Sequence, residues 1–206
     1  FRPPDGHEVV IRGVKDGLPS RDVLTVTHRT RTIAGAPCVV VRDLLYLAGR
    51  LREQTTDWYS QDGPGNVWYF GERTAELDRA GHVTSREGSW RAGLNGARAG
   101  IYMPAHPRVG ASGSQEHYPG QAEDHYRVVS LHASVAVPYR STHSAVLTEE
   151  CTALEPGVLE VERQVLVWFD PLPESPDCVW VAEWRDGHYV YGFPPDADGL
   201  KLALHH

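Results

Sequence analysis

The stretch from Asp57 to Glu72 places two aromatic runs, Trp58-Tyr59 and Trp68-Tyr69-Phe70, on either side of a turn cluster, Asp62-Gly63-Pro64-Gly65-Asn66. Aromatic side chains suit a pleated, half-buried surface. Gly, Pro, Asp and Asn supply the dihedrals of a tight reversal. The segment therefore predicts a β-hairpin with large aromatic anchors. Side chains alternate along a strand, so Trp58 and Tyr59 must split between faces, and so must Trp68 and Tyr69. One set enters the core. The other meets water, a second layer or a ligand.

The rest of the chain agrees with a β-rich protein. Twenty Gly and fifteen Pro in 206 residues favour many turns over a helical bundle, and this length buries a core without staples. No segment sustains a helical period. Val23 to Thr32 and Cys38 to Leu47 read as strands joined at Ala34-Gly35-Ala36-Pro37, and Ala48-Gly49 turns the chain into the aromatic hairpin. A short strand at Glu8 to Arg12 precedes a turn at Asp16-Gly17, and Glu76 to Glu87 forms a hairpin through Ala80-Gly81. Ser89 to Gly113, with five Gly and two Pro, reads as a loop anchored by Trp90 and Tyr102. Further strands are expected at Tyr126 to Leu131, Ser134 to Pro138, Ser144 to Glu149 and Val158 to Phe169, with a turn at Glu155-Pro156-Gly157. A Pro-rich loop covers 170–177, and Asp186-Gly187 joins Cys178 to Trp184 with His188 to Phe193, ahead of a last strand from Gly199 to Leu204. The expected fold is mainly β: an antiparallel half-barrel or sandwich with C-terminal β-hairpins.

A net charge of −7 with both signs interspersed argues against nucleic acid as a partner. No run reaches the length of a transmembrane helix. No signal-peptide pattern is visible, and the chain opens at Phe1. Cys38, Cys151 and Cys178 lack CxxC spacing, which excludes a zinc ribbon and leaves buried thiols, or one Cys38–Cys151 bridge in an exported protein.

Residues 14–160 resemble a group of uncharacterised actinobacterial secreted proteins or lipoproteins. The likeness rests on Thr25-Val26-Thr27-His28, Cys38 to Asp43, Thr56 to Tyr59, Gly65 to Glu72, Gly88-Ser89-Trp90, Pro119 to Asp124 and Leu154 to Val158. It implies a β-rich fold and a secreted or cell-envelope location, with no established activity. From Arg163 the pattern changes. Arg163 to Phe169, Tyr189 to Pro194 and Gly199 to His205 resemble the substrate-domain sheet of flavin-dependent sarcosine and N-methyl amino acid oxidases. That resemblance implies a substrate-lining Tyr191, an oxygen-activating Lys201 and a substrate-side His205, with FAD as cofactor. The family's dinucleotide cradle is missing, because no Gly-x-Gly-x-x-Gly follows a strand. The chain thus reads as a β-rich exported-type domain over 1–160 joined to an oxidase-like hairpin segment over 161–206.

Candidate chemistry is sparse. His117 and His125, with Glu116, Glu123 and Asp124 nearby, carry metal-ligating groups. Their spacing fits no helical metal motif and Pro119-Gly120 interrupts them, so a solvated acidic loop is the better reading of them. Asp57 and Asp62 beside aromatics have the composition of a sugar-binding cleft, but glycoside hydrolysis needs two carboxyls at a fixed separation. The aromatic residues Trp58, Tyr59, Trp68, Phe70 and Trp90 either pack a core or line an apolar pocket. The expectation is a non-catalytic exported or envelope-associated β domain that binds a small apolar or aromatic ligand without a cofactor. The alternative is an FAD-dependent oxidase of sarcosine or N-methyl amino acids.

Overall fold

Two-residue turns fix the first half of the chain. The computed structural model describes residues 8–15, 17–136, 141–152, 161–169, 181–184, 188–196 and 199–205. Strands β1 (Glu8–Lys15), β2 (Leu18–Ile33), β3 (Ala36–Leu47), β4 (Arg50–Gln61) and β5 (Val67–Leu77) form an antiparallel meander. Ala34-Gly35 joins β2 to β3 and Ala48-Gly49 joins β3 to β4, with positive φ at all four residues. That geometry matches the right-handed twist of the flanking strands. The aromatic hairpin forms between β4 and β5. Its turn is held by Asp62, whose carboxylate accepts from the Asn66 backbone N–H, the Asn66 amide and the Trp68 indole N–H, each at 2.8 Å.

Three further strands flank β5. They are β6 (Val83–Ser85), β7 (Trp90–Arg91) and β8 (Arg98–Met103), and β10 (Glu116–His117) follows on β8. The result is a curled antiparallel half-barrel. A second, smaller antiparallel sheet contains β9 (Ser112–Ser114), β11 (Asp124–Ala136), β12 (Ser141–Thr152), β13 (Val161–Phe169), β14 (Val181–Trp184), β15 (His188–Asp196) and β16 (Gly199–His205). Its order is β14-β15-β16-β13-β12-β11-β9, so the C-terminal hairpins continue the β11–β12 sheet. The chain passes between the sheets at buried Gln115. The Gln115 backbone N–H donates to the Asp124 carbonyl at 2.8 Å, and its amide to Glu150 at 2.7 Å. Among the described residues no helix is long and apolar enough to cross a membrane.

Two expectations need correction. Ser89 to Gly113 is not a plain loop, because it supplies β7, β8 and β9. Its glycines suggested turns, yet Gly100 serves close backbone approach: a Cβ there would lie 2.4 Å from the Ser114 and Gln115 carbonyl oxygens. Tyr126 to Leu131 and Ser134 onward are one strand, β11, in which bulges absorb the irregular pattern. The expected turns at Asp16-Gly17, Glu155-Pro156-Gly157 and Asp186-Gly187 and the loop at 170–177 lie wholly or partly outside the described residues.

A bulge in the aromatic hairpin brings β7 inward. The β4–β5 register shifts between the pairs Asp57–Glu72 and Tyr59–Tyr69. Gly71 sits in the shift with φ +118, and a Cβ there would lie 2.4 Å from the Trp90 carbonyl oxygen. A side chain would thus meet both backbone strain and a clash. Gly71→Ala is expected to lower unfolding free energy by about 2 kcal/mol or more in urea titration, as overpacking at a fixed contact does.

Candidate functional site

Residues paired across neighbouring strands share a face of the sheet. The registers β2–β3, β3–β4 and β4–β5 therefore define rows across the half-barrel. One row runs Thr30, Val39, Tyr59, Tyr69, and the next runs Val26, Val41, Asp57, Glu72. The third is Leu24, Asp43, Thr55, Thr74, and the fourth is Asp22, Leu45, Glu53, Glu76. The same face thus changes character along the strands, from apolar and aromatic at one end to carboxyl-rich at the other.

The apolar end holds a pocket of about 210 Å³ lined by Val39, Val41, Tyr59, Val67, Tyr102 and Met103, with Thr30, Pro37, Ser60 and Gln61 also on its wall. Tyr59 stacks on Tyr69 at 4.8 Å between ring centroids and meets Tyr102 edge-on at 5.3 Å. Tyr69 in turn meets Trp90 edge-on at 5.5 Å. Such offset and T-shaped pairs are the favoured aromatic geometries.

The expected split of the aromatics occurs. Tyr59 lines the pocket. Trp58 pairs with Val40 and is buried on the opposite face, with the Arg31 guanidinium 5.1 Å from its ring. Trp90 is buried in the core cluster beside Tyr69, and Phe70 packs against that cluster partly buried. Trp68 is half-buried and tied to Asp62 through its indole N–H. Of the five aromatics picked from sequence, Tyr59 alone is on the pocket wall. Tyr102, expected only as a loop anchor, joins it.

The carboxyl row was not legible as a site. Asp57 is buried, and Tyr69 Oη lies 2.8 Å from its Oδ1 and 3.2 Å from Glu72 Oε2. A phenol has one proton to donate. It can donate to one carboxyl, while a hydrogen bond to the second needs that carboxyl protonated and donating back. Burial, opposed by the Tyr69 hydrogen bond, holds Asp57 up at about 7. Burial and the charges of Asp57 and Glu116 push Glu72 to about 8. Glu116 accepts from the Trp90 indole N–H at 3.1 Å, and burial with the nearby Asp124 raises it to about 7. Asp43 is held well above the carboxylate range by burial and by its contact with Asp22. Asp22 Oδ1 and Asp43 Oδ1 are buried and have no hydrogen-bond partner. Thr55 and Thr74 hydroxyls pair at 2.5 Å between them.

Asp57 and Asp62, grouped in the sequence as cleft carboxylates, have separate environments. Asp62 is a turn residue held below its usual range by hydrogen bonds from Asn66 and Trp68. His117 on β10 contacts Arg98, and His125 on β11 lies 3.2 Å from Ser114 Oγ in the other sheet. Among the described residues no group of three or more His, Cys, Asp or Glu is placed to hold a metal. Cys38 is a free, buried thiol raised to about 11 by burial, so the Cys38–Cys151 bridge is not formed. The β15–β16 register sets Tyr191 opposite Ala203, between Lys201 and His205, and Lys201 also pairs with Trp168 of β13. The side chains of these three residues lie outside the described set.

Comparison with protein-family models, curated proteins and solved structures gives no match to this chain.

The two tryptophans of the hairpin should respond differently to truncation. Trp58→Ala opens a cavity in the buried cluster and should cost about 3–5 kcal/mol in chemical denaturation. Trp68→Ala removes a half-buried ring and its bond to Asp62, with an expected cost of about 1–2 kcal/mol. Equal losses would overturn the assignment of Trp58 to the core and Trp68 to the rim.

Proposed function

We propose that this chain is a non-catalytic binding domain that holds a small apolar or aromatic ligand in the pocket walled by Tyr59, Tyr102, Val39, Val67 and Met103, and that it acts outside the cell or at its envelope. The observation that carries the binding reading is the pocket itself, whose walls are two tyrosine rings and aliphatic side chains with a few polar groups at hand. That is the usual make-up of a small-molecule site. A closed apolar cavity of about 150 Å³ accepts benzene, so about 210 Å³ in a pocket open to solvent on one side seats one or two fused rings or a short alkyl chain, with a further ring left at its mouth. Burying roughly 150–250 Å² of aromatic surface at about 25 cal/mol per Å² gives about 4–6 kcal/mol before association entropy is subtracted. Affinity no tighter than roughly tens of micromolar follows, and about millimolar or weaker once association entropy is subtracted. The location rests on the resemblance of residues 14–160 to secreted and lipoprotein-type chains.

N-phenyl-1-naphthylamine, a neutral dye that brightens in apolar sites, tests the binding reading. The unmodified protein should enhance its emission saturably. Val39→Trp fills the pocket from a half-buried wall position and should weaken binding by about tenfold, or about 1.4 kcal/mol, while the melting temperature stays within a few degrees. Absence of saturable enhancement, or equal affinity in the variant, would count against the pocket as the site.

A further inference from the structure

The carboxyls Asp43, Asp57 and Glu72 lie on β3, β4 and β5, strands that also wall the pocket, and one side chain joins the two. Tyr69 touches Asp57 and Glu72 through its hydroxyl and stacks by its ring on Tyr59, which forms the pocket wall. Val41, another wall residue, is the direct register partner of Asp57, two positions from Asp43. Whatever happens among the carboxyls therefore reaches the pocket through two adjacent contacts.

The sequence sorts charge to make this row. Arg21-Asp22, Arg42-Asp43 and Glu72-Arg73 are acid–base dyads, and alternation sends their members to opposite faces. The register aligns the dyads, so Thr25, Arg42, Thr56 and Arg73 form a row on the far face, where Arg42 and Arg73 are exposed. Arg21 lies over the Tyr46 ring at 4.2 Å. The pocket face keeps the acids. The groups facing one another there are Asp22 of β2, Asp43 of β3, Glu53 and Asp57 of β4, Tyr69, Glu72 and Glu76 of β5, and Glu116 of β10, with Asp124 of β11 acting on Glu116. Glu150 of β12 is engaged by Gln115. His117 beside Glu116 contacts Arg98. The charges that act most strongly on Asp43, Asp57, Glu72 and Glu116 are those of other carboxyls.

We propose that Asp43, Asp57 and Glu72, with Glu116 beside them, form a proton-operated latch on the pocket: protonated, Asp57 and Glu72 share protons with Tyr69; ionised, the carboxyls repel, Tyr69 shifts, and the pocket loosens. This rests on the ligand reading for its output but not for its existence. The direction follows from linkage. A carboxyl whose folded value lies above its unfolded value keeps its proton where the unfolded chain has lost it. Its stabilising contribution is complete below the unfolded value near 4 and falls as pH rises through the folded value. For Asp57, Glu116 and Glu72 that fall spans about pH 4 to 8, since their folded values are about 7, 7 and 8. The fall continues higher for Asp43. Asp62 and Asp78, whose values are lowered, act in the opposite sense and only in acid.

Three readouts on the intact chain test the latch. Melting temperature should fall by several degrees between about pH 5 and pH 8.5. The near-UV circular dichroism of the Tyr59–Tyr69–Tyr102 cluster should weaken over the same interval. N-phenyl-1-naphthylamine, uncharged throughout, should bind about tenfold more weakly at the higher pH. Asp43→Asn and Glu72→Gln each keep a hydrogen-bonding group of similar shape and should flatten all three profiles. Tyr69→Phe removes the link, so dye affinity should lose its pH dependence while melting temperature still falls. Unchanged near-UV signal and melting temperature across the interval would overturn the latch, whether or not dye binds. A pH-dependent near-UV signal with no dye binding at any pH supports the latch and overturns the ligand reading alone. Dye affinity that stays flat in the unmodified protein, while melting temperature falls, would show that the carboxyls titrate without reaching the pocket and would overturn the proposal.

Discussion

The hydroxyl of Tyr69 sits 2.8 Å from one carboxyl and 3.2 Å from another, and a single phenolic proton can serve only one of them. Buried charge without a counter-charge is expensive, and the usual response is to keep the proton. The middle of the half-barrel follows from that constraint. Protonated carboxyls can donate as well as accept, so Asp57, Glu72 and Asp43 can lie on one face of adjacent strands without facing arginines. The ring of the same tyrosine anchors the aromatic cluster. One residue therefore belongs to the polar row and to the apolar end at once.

Backbone detail makes that position possible. The bulge between Asp57–Glu72 and Tyr59–Tyr69 puts Tyr69 and Glu72 on one face although three positions separate them. A regular strand would have sent them to opposite faces. Gly71, at positive φ, admits Trp90 against Tyr69, and Gly100 lets the chain cross from β9 to β10 at Gln115. Bulges in sheets often re-aim side chains beside sites, and here the bulge separates the carboxyl end of the face from the pocket end. The far face has a different composition: arginines in solvent and Trp58 beneath Arg31.

The nature of the fold was legible before any coordinates. Paired turn residues such as Ala34-Gly35 and Ala48-Gly49 lie between runs of branched and aromatic residues, and each hairpin they imply is present. The split of Trp58 from Tyr59 followed from alternation alone. Ser89 to Gly113 was misread because glycine has two uses, turning a chain and admitting a close neighbour, and composition does not separate them. Asp57 was noticed only as a carboxylate among aromatics. Its partners Glu72, Asp43 and Asp22 are up to 35 positions away in sequence, and no local signal joins them.

Sequence by itself determined the long strands β2 to β5, the tight turns at Ala34-Gly35 and Ala48-Gly49 and the alternation that sends an acid and an adjacent arginine to opposite faces, because these depend on one or two neighbouring residues. Tertiary structure decided which acids meet, which tyrosines wall the pocket and where the bulge falls. Register is a property of whole strands, and shifting it by one residue would exchange the carboxyl face for the arginine face.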